Sequence, residues 1–221
     1  YDTAYMGYSY FKPPFPIAFP FVMTFLTVPL CFVVMFALGV LLKTTSMLAP
    51  IFRVGLVNRD YRHTDVLFLG CALAPLVLIA MPSSPIFGGT KHWFTAYPFM
   101  ALFAGHAFST ATKTLEEYGK EKKLHFALRN ALSVLFFLLM LAPSLSETVQ
   151  SHPLGLAHYT AAGGGTPGAA SLGMKRQFWG YTTGSVVGFL KEKLPQGGRV
   201  WICDSTWITW NMLQRDGRIP S

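Results

Sequence analysis

Long apolar runs alternate with short polar segments through the first two-thirds of the chain. Four blocks stand out, from about Ile17 to Leu42, Val66 to Met81, Trp93 to Ala111 and Phe126 to Pro143. A straight helical span of a bilayer needs about 20 apolar residues, with a working range of about 17–25. The first block is ample on that scale, the third and fourth are adequate, and the second is short. Pro20 and Pro29 in the first block, Pro75 in the second and Pro98 in the third predict kinks, which neighbouring helices tolerate. Trp93, Phe94 and Tyr97 predict an aromatic belt at the membrane interface. Residues 1–16, rich in tyrosine and proline, predict an interfacial loop leading into the first span.

From Ser144 onward the pattern changes. Gly163-Gly164-Gly165-Thr166-Pro167-Gly168 reads as a flexible turn. Short helices are predicted over 169–178 and 186–194, the second ending at Pro195. Arg199-Val200-Trp201-Ile202-Cys203 reads as a buried strand after the Gln196-Gly197-Gly198 turn. A last helix over 206–215 would take Asp204 or Ser205 as its cap and Gly217 as its stop. The expected fold is therefore a mainly α membrane protein. An outer loop (1–16) and about four transmembrane helices (17–143) precede a small, incomplete α/β segment (144–221). The glycine triplet lacks the Lys-Ser/Thr of a phosphate-binding loop and the preceding strand of a dinucleotide fingerprint, which argues against nucleotide binding.

Composition supports the membrane assignment. The 221 residues are 52% hydrophobic, 15% aromatic and only 13% charged, against roughly a quarter charged in ordinary globular domains, and mean hydropathy is positive. The formal charge of +8 is no nucleic-acid signature, because the basic residues cluster in loops and form no stripe. They set orientation instead. Lys43, Arg53, Arg59 and Arg62 lie between the first two blocks, and Lys113, Lys120, Lys122 and Lys123 between the last two. Lys91 alone occupies the short turn between the second and third. The positive-inside rule then makes the two basic loops cytoplasmic. It puts the 82–92 turn, the N-terminal segment and everything after Pro143 on the outer side. Cys31, Cys71 and Cys203 show no metal-binding or redox spacing. The chain opens on Tyr1 and ends on Arg218-Ile219-Pro220-Ser221, and is expected to be part of a longer polypeptide.

The outer turn carries the first candidate chemistry. Gly88 and Gly89 let backbone amides approach a ligand closely. Lys91 supplies a point charge suited to phosphate, and His92 can exchange a proton near neutral pH. The same residues also fit a plain turn whose lysine snorkels to lipid headgroups. His106, inside the third block, is an ionisable residue at membrane depth, or a neutral imidazole satisfied by a neighbouring helix. Arg129 is expected to snorkel. His152, His158 and Tyr159, with Lys175-Arg176 beyond them, match no metal site. The acidic residues expected on the outer side are few (Asp2, Glu147, Glu192, Asp204 and Asp216), and only Asp2 suggests itself as a base.

Two stretches resemble a known family. Pro85-Ile86-Phe87-Gly88-Gly89-Thr90-Lys91-His92-Trp93-Phe94-Thr95-Ala96-Tyr97-Pro98-Phe99 is similar to a late outer hairpin and following helix of the dolichyl-phosphate-mannose–protein mannosyltransferase-like family. These are membrane glycosyltransferases of the GT-C type, and include the bacterial aminoarabinose transferases. His152-Pro153-Leu154-Gly155-Leu156-Ala157-His158-Tyr159, Gly163-Gly164, Gly168-Ala169-Ala170 and Phe178-Trp179-Gly180 resemble the outer segment that follows the last helix of bacterial members. Two positions depart from that pattern: Thr160 stands where Asn is usual, and His158 where the first of two tyrosines is usual.

The resemblance implies a GT-C type enzyme of the bacterial inner membrane with an outward-facing site. Such an enzyme moves a sugar from a polyprenyl-phosphate-linked donor to an extracytoplasmic protein, lipid or glycan. Lys91, His92, Gly88 and Gly89 would lie near the carrier phosphate. The catalytic base is expected upstream of this chain, with any divalent metal. No cofactor is evident within the chain, and the chain alone is expected to be inactive. The competing expectation is a non-catalytic transporter or assembly subunit with an outer domain, although the four blocks show no internal repeat.

Overall fold

The computed structural model describes residues 3–48, 62–178, 180–202 and 207–219. The chain is mostly helical, with eight α-helices and two short strands among the described residues. The first apolar block is two helices rather than one: α1 (Phe19–Thr27) and α2 (Leu30–Leu48). Pro29 causes the break. It has no N–H to donate and disfavours helical backbone in the residue before it, and Val28 is extended at φ −102°, ψ 135°. Pro75 and Pro143, by contrast, sit inside continuous helices, α3 (Arg62–Ala80) and α5 (Phe126–Ser151). Between these two runs α4 (Tyr97–Glu121), which follows a 3₁₀ segment over Gly89–Ala96.

Among the described residues, two stretches are long and apolar enough to cross a membrane by length and composition: His63–Ala80 and Phe126–Ser151. Leu30–Thr44 in α2 is apolar but shorter. α4 is longer, but its last third carries Lys113, Glu116, Glu117, Lys120 and Glu121.

α2 and α4 approach closely at Gly39. A Cβ built there would lie 1.9 Å from the carbonyl oxygen of Phe103, the small-residue contact by which membrane helices bring backbones together. The Phe36 and Phe103 rings meet edge to face beside it, 6.1 Å apart. α5 joins through Phe136, which stacks on Phe108 of α4 at 5.3 Å. Lys43 of α2 and Asp65 in the first turn of α3 form a 3.0 Å ion pair.

The other end of α3 is capped. Residues 3–10, expected to be a plain interfacial loop, form an antiparallel hairpin of β1 (Thr3–Tyr5) and β2 (Tyr8–Tyr10). Its two turn residues, Met6 and Gly7, have φ of 51° and 80°, the left-handed pair that suits a two-residue β-turn. Gly7 N donates to Gly173 O at 3.1 Å, Phe15 N to Pro82 O at 2.8 Å, and Thr160 N to Leu26 O at 2.7 Å. The Thr3 hydroxyl donates to Ile86 O. One buried cluster joins these pieces: Tyr5, Phe19, Met23, Leu26, Leu76, Ile86, Trp93, Tyr159, Ala169 and Met174. The three segments expected on one side of the membrane thus meet at one end of the helices.

Tyr159 ties the cap together. It is 1% exposed, and its hydroxyl donates to Lys175 O at 2.6 Å. Burial pushes its phenol above the ordinary tyrosine range, so it remains a neutral donor at every physiological pH. Tyr159→Phe should remove this buried hydrogen bond and lower stability by about 1–2 kcal/mol, read as an earlier denaturant midpoint with unchanged slope.

The segment after α5 is helical, where an α/β arrangement was expected. It contains α6 (Gly165–Ser171), α7 (Val187–Lys193) and α8 (Trp207–Arg215). The helix expected over 169–178 is not the one formed: α6 begins after Gly164, left-handed at φ 75°, inside the stretch expected to be a flexible turn, and ends at Ser171, leaving 172–178 non-helical. The buried strand expected over 199–203 is absent from its described part, 199–202. Trp201 there is 88% exposed, and among the described residues no neighbouring strand is present to pair with it. Cys203, the proposed caps Asp204 and Ser205, Asp2, Arg53 and Arg59 lie outside the described residues.

Candidate functional site: a cleft at the capped end

The outer turn reverses on two consecutive left-handed glycines, Gly88 at φ 73° and Gly89 at φ 67°, a conformation costly for any residue with a Cβ. Gly88 also lies under the Lys91 side chain. A Cβ there would lie 2.5 Å from Lys91 Cε and 2.7 Å from Nζ, so the lysine folds across the glycine. Its Nζ sits 4.6 Å from the centroid of the Phe87 ring, a cation–π contact. Gly89 backs onto Phe178, whose ring would be 3.4 Å from an added Cβ.

His92 points elsewhere. Its Nε2 donates to Phe87 O at 2.7 Å, and its ring meets Phe87 edge to face at 4.8 Å. The histidine closes the turn and does not line the cleft described below. Trp93 is no belt residue: it is 0% exposed. Its Nε1 donates to Thr24 Oγ1 at 2.9 Å, Thr24 donates in turn to Pro20 O at 2.7 Å, and Phe19 packs edge-on at 6.0 Å. That anchor fixes the turn to α1. Phe94, by contrast, is 64% exposed and faces the cleft.

The cleft has a volume of about 550 Å³. Gly88, Gly89, Thr90 and Lys91 form one wall, the α1–α2 joint at Thr27–Pro29 another, and Gly155, Leu156 and His158 a third. α5 contributes Ser144, Glu147, Thr148 and Ser151, spaced i, i+3, i+4, i+7 along one helical face. Glu147 is held in place: Oε1 accepts from Ala161 N at 3.1 Å, and Oε2 lies 4.0 Å from His158 Nε2. Three of the four residues proposed from sequence, Gly88, Gly89 and Lys91, therefore meet in one cavity, and His92 is set apart from it.

Ser144 has a second neighbourhood. Its Oγ lies 3.6 Å from Cys31 Sγ, and it also lines an apolar groove of about 300 Å³ between α2, α4 and α5. Phe32, Met35, Gly105, Phe108, Phe137 and Leu141 are among the groove's walls. The cleft bearing Lys91 and the apolar groove share this serine. Compared with protein-family models, with curated proteins and with solved structures, the chain matches none.

Other candidates fall away from the cleft. His106 is half-buried on α4 and touches neither cavity. Arg129 lies across Gly119, whose added Cβ would be 2.8 Å from its Cγ, with its guanidinium 5.7 Å from the Phe126 ring centroid. A larger hollow of about 810 Å³ between α7 and α8 offers Lys191, Gln214 and Arg218 but no carboxylate or imidazole. Among the described residues, no three His, Cys, Asp or Glu side chains gather to hold a metal ion. The residue that sequence reasoning passed over is Glu147, counted only as one scattered acid. The signal was present: it is the single carboxylate of α5, on a stripe of hydroxyl side chains in an otherwise apolar helix.

Proposed function

We propose that this chain is part of an integral membrane glycosyltransferase of the bacterial inner membrane. It takes a sugar from a polyprenyl-phosphate carrier and passes it to an acceptor on the outer side. The carrying observation is that the cleft bearing Lys91 and an apolar groove between α2, α4 and α5 share Ser144. One amphiphile fits that pair of cavities, with its phosphate against Lys91 and the glycine-rich turn and its isoprenoid chain in the groove. Lysine serves as a point charge for phosphate, and backbone amides at left-handed glycines add donors without a side chain in the way. The transferase class comes from the sequence resemblance, and the amphiphilic ligand from the two cavities.

Gly105→Leu tests the lipid half of this reading. A Cβ at Gly105 meets nothing within 4 Å, so a leucine should fill the groove without moving a helix. The thermal midpoint should hold or rise, because a mid-helix glycine is replaced. Losing burial of about two methylenes should weaken binding of a long-chain polyprenyl phosphate about tenfold. A phosphate carrying a single isoprene unit should bind as to the wild type. Equal losses for both ligands, or none for either, would refute the groove as the chain's seat.

A further inference from the structure

The hollow between α7 and α8 lies apart from the cleft and combines apolar walls with positive charge. Its volume is about 810 Å³, within the ~300–1,000 Å³ of small-ligand sites. Leu190, Leu194, Trp210 and Ile219 supply apolar walls, and among the described residues Lys191 and Arg218 are the only charged side chains that line it. Neither cation is paired among the described residues. Glu192, next to Lys191, holds Lys193 at 2.8 Å, and Asp216 does not line the hollow. A small core of Val187, Leu213 and Ile219, on which Trp210 packs, fixes the walls.

The helix pair stands beside the end of an apolar span. α5 ends at Ser151, and just beyond it Pro153 O accepts from the Tyr181 hydroxyl, shortly before α7 begins at Val187. α8 buries Leu213 on the core and turns Trp207, Ile208 and Met212 outwards, along one helical face that ends on exposed Arg215. Exposed tryptophan with lysine and arginine beside it is the pattern of elements that lie in a membrane interface.

We infer that the α7–α8 pair rests on the membrane surface and that its hollow seats an anionic phospholipid. The lipid's phosphate lies against Lys191 and Arg218, and the upper part of an acyl chain lies against Leu190, Leu194, Trp210 and Ile219. Charge selects this occupant. Two cations in a lining without a carboxylate attract an anion, and the apolar walls favour an anion that carries a hydrocarbon chain over inorganic phosphate. A zwitterionic lipid offers the same chain without the net charge, so it gains only the apolar contact. This seat is separate from the cleft at Lys91, takes a lipid of the bulk bilayer, and is independent of sugar transfer.

Tryptophan quenching in the full-length protein, embedded in phosphatidylcholine nanodiscs, tests the seat. Dibrominated phosphatidylglycerol or dibrominated phosphatidylcholine is titrated in, and the Trp210 emission is taken by difference from Trp210→Phe. Half-maximal quenching should need about a tenfold lower mole fraction of the phosphatidylglycerol, each cation contributing about fivefold before screening by salt. Lys191→Ala/Arg218→Ala should bring the two mole fractions together while both lipids still quench. Lys191→Gln/Arg218→Gln, which keeps more of the side-chain length, should do the same, and a preference retained by that variant would overturn the proposal. So would equal quenching of the wild type by both lipids, or quenching by neither. Loss of the wild-type preference in millimolar glycerol phosphate would put a soluble anion in the hollow and overturn the lipid as its occupant.

Discussion

Gly39→Ala should unseat α2 from α4 and cost about 3 kcal/mol or more, the upper range for forcing an extra methyl into a packed core. The added Cβ would sit 1.9 Å from the Phe103 carbonyl oxygen. That neighbour is backbone, so no rotamer change relieves the clash, and one helix must move bodily. Gly39 is buried at the closest point between the two helices. Their separation also sets the width of the groove lined by Phe32 and Met35 on one side and Ala104 and Gly105 on the other. Gly39→Ala should therefore lower the thermal midpoint and impair lipid binding together. Gly70→Ala in α3 is the control, since its Cβ meets nothing within 4 Å. It should be neutral or stabilising by about 0.5–1 kcal/mol, as expected for removing a helical glycine. Indistinguishable midpoints for the two variants would contradict the close approach of α2 and α4.

The second large effect concerns the cation of the cleft. Lys91→Ala should weaken binding of a polyprenyl phosphate about tenfold, the lower end for loss of a charge-assisted contact. The lower end applies because Lys91 is solvent-exposed and its attraction is partly screened. The loss should shrink further as salt rises. Folding should be unaffected, because the turn is held by other groups: His92 on Phe87 O, Trp93 on Thr24, and the φ of Gly88 and Gly89. The lysine packs against Phe87 at a site open to water.

Much of the helical layout was legible in the sequence, and particular residues show why the rest was not. The apolar runs located α3 and α5, and Gly217 correctly followed the end of α8 at Arg215. The break at Pro29 was read as a kink because Pro75 and Pro143 look the same in sequence. Only the extended backbone of Val28 distinguishes a helix end from a helix bend. Trp93 carries the signature of an interfacial aromatic, and its burial follows from a partner 69 positions away, Thr24, which no local pattern encodes. Val200-Trp201-Ile202 has strand composition, but with no neighbouring strand among the described residues to bond to, the preference goes unused. The Gly88, Gly89 and Lys91 turn was visible because it depends on local backbone. Glu147 was missed as a site residue because its significance depends on Ala161 and His158 reaching it from beyond the helix end.

The central claim is that the cleft beside Lys91 and the groove reached through Ser144 together hold one phosphate-bearing lipid. The most direct measurement is the affinity of the nanodisc-embedded protein for a polyprenyl phosphate and for the matching polyprenol, in the wild type and in Lys91→Ala. The account predicts that the wild type prefers the phosphate by about tenfold or more, and that Lys91→Ala loses this preference while its affinity for the polyprenol is unchanged. Equal affinity of the wild type for phosphate and alcohol, or a Lys91→Ala variant that keeps the full preference, would contradict it.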